Sequence, residues 1–458
     1  MEGNHKLFML DLLKKLLLIF KNIHFLSLLG NGIMAIFGMV TLAILYRTLP
    51  VVEMGVYIFF MAILGLIDTL RAGFLTITFI KFYSGTDEER SRKVAGACWY
   101  IGIFITGISV VVNFPTYFIA DYVADQGLAL FLKYFSLVSI VTLPSFMANC
   151  VVQADKRFDR LLWLRIMTQG SFTLIIMILA FLDKITLNSV LLTYALSNLF
   201  SSVLVMLLKW TMLSSLKSAD KPTILEMFHF GKYSMGTNIS ANLFSVTNTF
   251  VINFLIGPAA LAIFNLGGKL LQIIEIPMNS FAASGMPILS SHYNRGERTE
   301  MMYTLKKLIG MMTVALVPMV IIALIFAEPI IQLVGGKGYT GNEAPNLFRL
   351  FMLLSLLSPA DRFFALGLDV IHQPKINFYK ILVMLVVNVI AVLIGIQIYH
   401  SVYSIAIASI FPTIVAILMT YSPLNDYYKL KFWSIYVIGY KEMIIFIKQM
   451  NRMVLKRG

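Results

Sequence analysis

Charge is what this chain has least of. Only 13% of its 458 residues are Asp, Glu, Lys or Arg, against 59% hydrophobic residues, and the mean hydropathy is +0.82. A soluble protein of this length needs far more polar surface, so a water-soluble fold is excluded. Cysteine is almost missing: Cys98 and Cys150 both fall inside apolar runs, which excludes a disulfide framework. The six histidines, at 5, 24, 229, 292, 372 and 400, are scattered without metal-ligand spacing, so no metal site is expected. The stretch GGKGYT (335–340) lacks the G-x-x-x-x-G-K-[ST] spacing of a phosphate loop. With no nucleotide-hydrolysis module, any pumping must draw on an ion or voltage gradient. Long polar linkers are absent too, leaving no room for a folded soluble domain. A cleavable signal peptide is not expected: residues 6–21 are interrupted by Asp11, Lys14 and Lys15, and no small-residue cleavage site follows. That stretch reads as an interfacial amphipathic helix, or alternatively as a regulatory or partner-binding arm.

What is present is a series of apolar runs long enough to cross a bilayer. Twelve are predicted, at 25–46, 55–80, 95–119, 128–152, 161–182, 187–208, 233–256, 260–286, 304–327, 346–371, 377–399 and 402–423. Basic residues orient them. Arg47, Lys133, Lys184, Lys337 and Arg349 fall on one side, and Arg71, Lys269 and Arg362 lie within spans. Every other Lys and Arg, including Lys375 and Lys380 ahead of the eleventh span, is assigned to the opposite side, which predicts cytoplasmic termini. The net charge of +14 is spread over all of these loops, so it reads as topology and contact with anionic headgroups, not as nucleic-acid binding.

A repeat divides the chain. LPVVEMGVY (49–57) aligns with IGPAALAIF (256–264) at an offset of 207, which also carries Asp68 onto Glu275. Six spans separate the copies, so both halves enter the membrane from the same side. The expected organisation is a cytoplasmic amphipathic segment (1–24), an N-lobe (25–208), a basic connector (209–232), a C-lobe (233–423) and a basic amphipathic tail (424–458) lying on the membrane surface. The fold class is all-α and polytopic, with two pseudo-symmetric six-helix lobes around a central cavity.

Charges inside spans then need a reason. Each costs roughly 2.5–3.5 kcal/mol at the centre of an isolated membrane helix. Asp68 and Arg71 sit three residues apart in GLIDTLRAGF (65–74) and can neutralise each other on one helix face, or can face a hydrated cavity. Lys269 and Glu275 lie six residues apart, well round the axis, and adjacent Asp361 and Arg362 diverge by about 100°. For these a polar cavity is expected. Asp369 lies near a span end, within reach of the interface. Pro144, Pro287, Pro318, Pro359 and Pro412 lie in or beside spans, where they kink helices and free carbonyls.

The stretch LYRTLPVVEMGVYIFFMAILGLIDTLRAGF is similar to the opening signature of polysaccharide flippases, through Arg47, Leu49, Glu53, Gly55, Tyr57, Gly73 and Phe74. VVQADKRFDRL (151–161), GPAALAIFNLGGKLLQI (257–273) and ALGLDVIHQPKINFYKILVMLVVNVI (365–390) resemble later stretches of the same family, in order. This is the polysaccharide transporter family (O-antigen and exopolysaccharide flippases) of the multidrug/oligosaccharidyl-lipid/polysaccharide exporter superfamily. The resemblance implies a non-enzymatic protein of the bacterial inner membrane that moves undecaprenyl-diphosphate-linked oligosaccharide by alternating access through a cationic cavity. Arg71, Lys269 and Arg362 would hold the acidic headgroup. Asp68, Glu275 and Asp361 would balance charge or bind a coupling H+ or Na+; the membrane potential is a further source of drive, and no other cofactor is expected. Expected partners are the lipid-linked oligosaccharide, membrane lipids, and a glycan polymerase and glycosyltransferases of the same pathway. Many relatives carry an acid where this chain has Asn248. The alternatives are a multidrug extrusion antiporter of the same fold and a membrane glycan polymerase or ligase.

Overall fold

The computed structural model describes residues 23–455. The amphipathic segment expected at 6–21 lies outside them. Among the described residues there are helices and turns and no strand. Eleven helices are long and apolar enough to cross a membrane. In order these include α1 (Ile23–Thr48), α2 (Val51–Tyr83), α3 (Glu88–Ile119), α4 (Gln126–Ala154), α5 (Phe158–Phe181) and α6 (Leu187–Leu207). After α7 (Lys221–Leu255) come α8 (Pro258–Asn294), α9 (Arg298–Ile325), α10 (Ala344–Val370), α11 (Pro374–Tyr399) and α12 (Val402–Tyr427). Counting α7, whose apolar part is Val246–Leu255, each of the twelve expected runs has its helix. A short helix, Ala327–Gly335, lies between α9 and α10, and a further long helix, labelled α13 (Phe432–Leu455), follows α12.

Local chemistry sets the helix starts. Asp87 caps α3 by accepting from the Arg90 amide at 2.8 Å, and Asp125 caps α4 through Leu128 at 2.7 Å. Thr186 and Ser189 form a reciprocal capping box at the start of α6. The predicted repeat is visible in the turns. Leu49 donates to the Leu45 carbonyl and Met54 to that of Pro50; 207 residues on, Ile256 donates to Ile252 and Leu261 to Gly257. α2 and α8 therefore start in the same register. In the second copy Gly257 takes φ +121°, a value that only glycine adopts freely.

The chain divides into two compact units, Met1–Asn242 and Leu243–Gly458. The division falls within α7, beyond the connector expected at 209–232. The first half of α7 packs on the N-terminal unit: Phe228 meets Phe74 at 5.3 Å, and Arg90 reaches Thr223 at 2.8 Å and also pairs with Glu226. The core of this unit lies where α2, α3 and α4 meet, around Phe79, Ala97, Trp99 and Met147. Cys98 and Cys150 are buried there as free thiols.

Small residues let helices approach closely, as membrane packing requires. Ser145 of α4 bonds Ser202 of α6 at 2.9 Å. The turn Leu213–Ser218 rests on Gly96 of α3, where an added Cβ would lie 2.3 Å from the Ser215 carbonyl oxygen. In the C-terminal unit a Cβ at Gly310 of α9 would lie 2.2 Å from the Ile435 carbonyl oxygen and 2.6 Å from the Gly439 Cα. The tail, expected on the membrane surface, is thus packed backbone to backbone against α9. Lys307 and Tyr303 of α9 bind Glu442 of α13, and Lys307 holds the Glu442 carboxyl below the usual carboxylate range.

Candidate functional site: charges within the spans

In the N-terminal unit, Arg71 and Asp68 lie inside the unbroken helix α2. Arg71 is 3% exposed, and its guanidinium bonds Asp68 one turn back. It also donates to the Ser139 carbonyl at 3.1 Å and to Thr142 Oγ1 at 2.8 Å, both on α4, and lies over the Phe146 ring at 5.4 Å. Its Nε has no hydrogen-bond partner among the described residues. The two groups form an ion pair, with α4 completing the shell around Arg71 while Asp68 stays about 34% exposed. Burial at this depth is tolerable because the charge is paired and hydrogen-bonded.

The C-terminal unit places its charges at breaks in helices. α8 stops at Leu270 and resumes at Gln272, between the Gly267-Gly268 pair and Pro277. Lys269 therefore sits in the last turn of one half-helix, and Glu275 in the first turn of the next. α10 breaks in the same way: Ala344–Leu354, a 3-10 turn over Ser355–Leu357, then Ser358–Val370 with Pro359 near its start and Asp361 in its first turn. A base at a helix C-terminus and acids at helix N-termini complement the exposed backbone dipoles. Each such match is worth roughly 0.3–1 kcal/mol and offsets part of the cost of placing these charges within spans. Pro277, which the sequence analysis did not single out, stands beside the first break. Pro287 and Pro318 lie inside helices that continue past them.

Asp361 and Arg362 do diverge. Asp361 turns to α11 and accepts from Lys380 Nζ at 2.9 Å; Lys380 is 7% exposed. Sequence reasoning placed Lys380 with the loop preceding α11, but the structure buries it in an ion pair. The signal was available in the hairpin: Asp361 stands nearly three turns before the loop at 371–373 and Lys380 about two turns after it, a difference that a long lysine side chain can span. Arg362 is exposed and donates to Asn279 of α8 at 3.1 Å. Lys269 and Glu275 are exposed as well. Among the described residues neither Lys269 nor Arg362 has an acid within salt-bridge distance. Asp369 accepts from Asn377 at 2.7 Å.

Asn248 of α7 is buried and accepts from Asn388 of α11 at 2.7 Å. A neutral polar pair therefore joins α7 and α11 at this point.

A model of a polysaccharide biosynthesis protein family matches residues 44–342, well over half of the chain. The chain belongs to this family. No curated protein matches. Among solved structures, a multidrug resistance MATE family transporter of the MOP superfamily, in an inward-facing conformation, is similar at TM-score 0.68 and 14% identity, covering 86% of this chain and 95% of that one. The lipid II flippase MurJ, inward closed, is similar at TM-score 0.68 and 13% identity, with 92% of each chain covered. A mutant of the Vibrio cholerae MATE transporter VcmN follows at TM-score 0.57, 12% identity, and 91% and 97% coverage. At such identities the likeness establishes the fold, that of MATE and MurJ transporters. This member of the polysaccharide biosynthesis family is thus an all-α, multi-pass membrane protein.

Proposed function

We propose that this protein is a flippase for an anionic, lipid-linked saccharide, moving an undecaprenyl-diphosphate-linked oligosaccharide across the bacterial inner membrane with both termini in the cytoplasm. The observation that carries the proposal is the pair Lys269 and Arg362: basic groups within spans, exposed, and without an acid partner among the described residues. Uncompensated cations at this depth favour an acidic headgroup and oppose a cationic drug. Arg362 offers a planar fork for a phosphate, Lys269 a point charge. Arg71, whose donors are largely committed within its own unit, joins them in this proposal by holding Asp68 and the α2–α4 wall in place. Glu275 and Asp361 balance charge at the helix breaks, and protonation or a bound Na+ at either would alter that balance.

The membrane potential supplies drive without a counter-ion. An anion moving outward across an inside-negative membrane gains about 2.3 kcal/mol per charge per 100 mV. No catalytic group is assigned; glycosyltransferases would make the cargo and a polymerase would use it.

The test is complementation of a strain lacking the gene. Arg362→Glu and Lys269→Glu should each abolish surface glycan at normal protein abundance. Normal glycan in both would reject the proposal. Sensitivity of the deletion strain to cationic dyes with intact glycan would favour the multidrug reading, whose fold likeness is equal at TM-score 0.68. Polymerisation of purified precursor in vitro would favour the enzyme reading.

A further inference from the structure

Away from these charges, the N-terminal unit has a polar pocket of about 810 Å³ on its basic face. It opens between the end of α2, the start of α3, the end of α6 and the segment after it. That segment is built rigidly. Lys209 and Met212 take left-handed backbone, φ +57° and +49°, which a non-glycine residue holds only where its surroundings fix it. Three contacts do so here. The Trp210 amide donates to Val205 at 3.0 Å, the Trp99 indole donates to the Thr211 carbonyl at 2.8 Å, and the Ser215 carbonyl sits on Gly96. Lys209, Ser214 and Ser218 thereby line the same pocket as Thr86, Ser91 and Arg92.

The lining is cationic and rich in hydroxyls. Glu88 offsets Arg92 at 2.6 Å, and Lys209 is left in excess, with no ion-pair partner among the described residues. Beside the pocket stand Leu207 (73% exposed), Leu208 (46%) and Leu213 (45%), an apolar rim at the end of a membrane span. A cationic, hydroxyl-lined pocket with a greasy edge suits a phosphodiester whose acyl chains run along α6.

We propose that this pocket binds the phosphate group of an anionic phospholipid, with Lys209 as the main charge, Arg92 as the second, and Ser214 and Ser218 as hydroxyl partners, while Thr86 and Ser91 bond each other in the wall. The inference needs only the membrane-spanning fold and is independent of what the protein transports. Free phosphate shares this chemistry, and the experiment separates the two sources.

The purified full-length protein is incubated with phosphatidylglycerol or phosphatidylcholine, and retained lipid is read by native mass spectrometry with and without inorganic phosphate. The wild type should retain phosphatidylglycerol preferentially. Lys209→Asn, chosen because Asn tolerates left-handed backbone, should lower that retention about fivefold, and Arg92→Gln should lower it less. Lys217→Asn, exposed on the same segment but outside the lining, should leave it unchanged. Displacement by millimolar phosphate, with Lys209-dependent phosphate binding alone, would support the pocket as a free-phosphate site; no displacement would support the lipid headgroup. Equal retention in wild type, Lys209→Asn and Lys217→Asn overturns the proposal. If Lys209→Asn does not fold, Ser214→Glu places a like charge in the lining, and undiminished retention there overturns it equally.

Discussion

Each unit carries an acid and a base close together in one span, and the two halves accommodate them differently. In the N-terminal unit, α2 runs unbroken past Asp68 and Arg71, so compensation must come from side chains: the two groups bind each other and α4 closes the shell. In the C-terminal unit, α8 and α10 break, and the backbone ends do part of that work for Lys269, Glu275 and Asp361. Asp361 then takes Lys380 as its partner, leaving Arg362 uncommitted to any acid among the described residues. The lesson concerns availability. A base satisfied within its own helix bundle holds structure, whereas a base beside a helix break, with its acid neighbour engaged elsewhere, is free to meet a ligand.

Charge reversal should break this contrast first. Arg71→Glu leaves Asp68 facing a like charge in a buried setting, and should cost about 3–5 kcal/mol and cut protein abundance. Replacing both, with Asp68→Leu and Arg71→Met, should recover most of the abundance, since a buried pair is often no better than an apolar one. Arg362→Glu should leave abundance intact; equal losses for Arg71→Glu and Arg362→Glu in a membrane immunoblot would erase the distinction. Next in size, Asp361→Asn strands Lys380 at 7% exposure and should destabilise the protein by about 3 kcal/mol. Asp361→Leu with Lys380→Met should reverse that in a thermal melt.

The two units can also be compared through their third helices. α3 receives the segment after α6 on Gly96, and α9 receives the segment after α12 on Gly310. Gly96→Leu and Gly310→Leu should each cost about 1–3 kcal/mol, because the opposing atoms are backbone and cannot turn aside. A melt showing one tolerated and the other not would break the equivalence. The smallest effect belongs to Glu442. Its carboxyl is held below the usual range by Lys307, so its contribution is full above the ordinary glutamate value of about 4.3 and is lost as pH falls through the lower folded-state value. Glu442→Gln should remove up to about 1 kcal/mol at neutral pH and flatten that acid-side loss in a pH-dependent melt.

Much of the fold was legible because bilayer thickness imposes one length on every span. The apolar runs located the twelve helices, and the offset of 207 recurs in the hydrogen bonds of the two turns. The site was only partly legible. The divergence of Asp361 from Arg362 follows from their adjacency on one helix. Lys380 was missed because a positive charge near a span end looks like a topology signal, and only pairing across the α10–α11 turn tells otherwise. The tail's amphipathic pattern fits a membrane surface and by itself does not foretell the close approach to α9 that Gly439 admits by lacking a side chain.

The seats on α3 and α9, offset by 214 residues where the turns are offset by 207, bear on origin. If the first half, with its trailing segment folded over its own third helix, were copied end to end, the trailing piece of the first copy would link the halves and that of the second would follow the last span. The linking turn at Leu213–Ser218 and the long helix Phe432–Leu455 occupy those two roles. One ancestral flap would then have diverged into a linker and a brace.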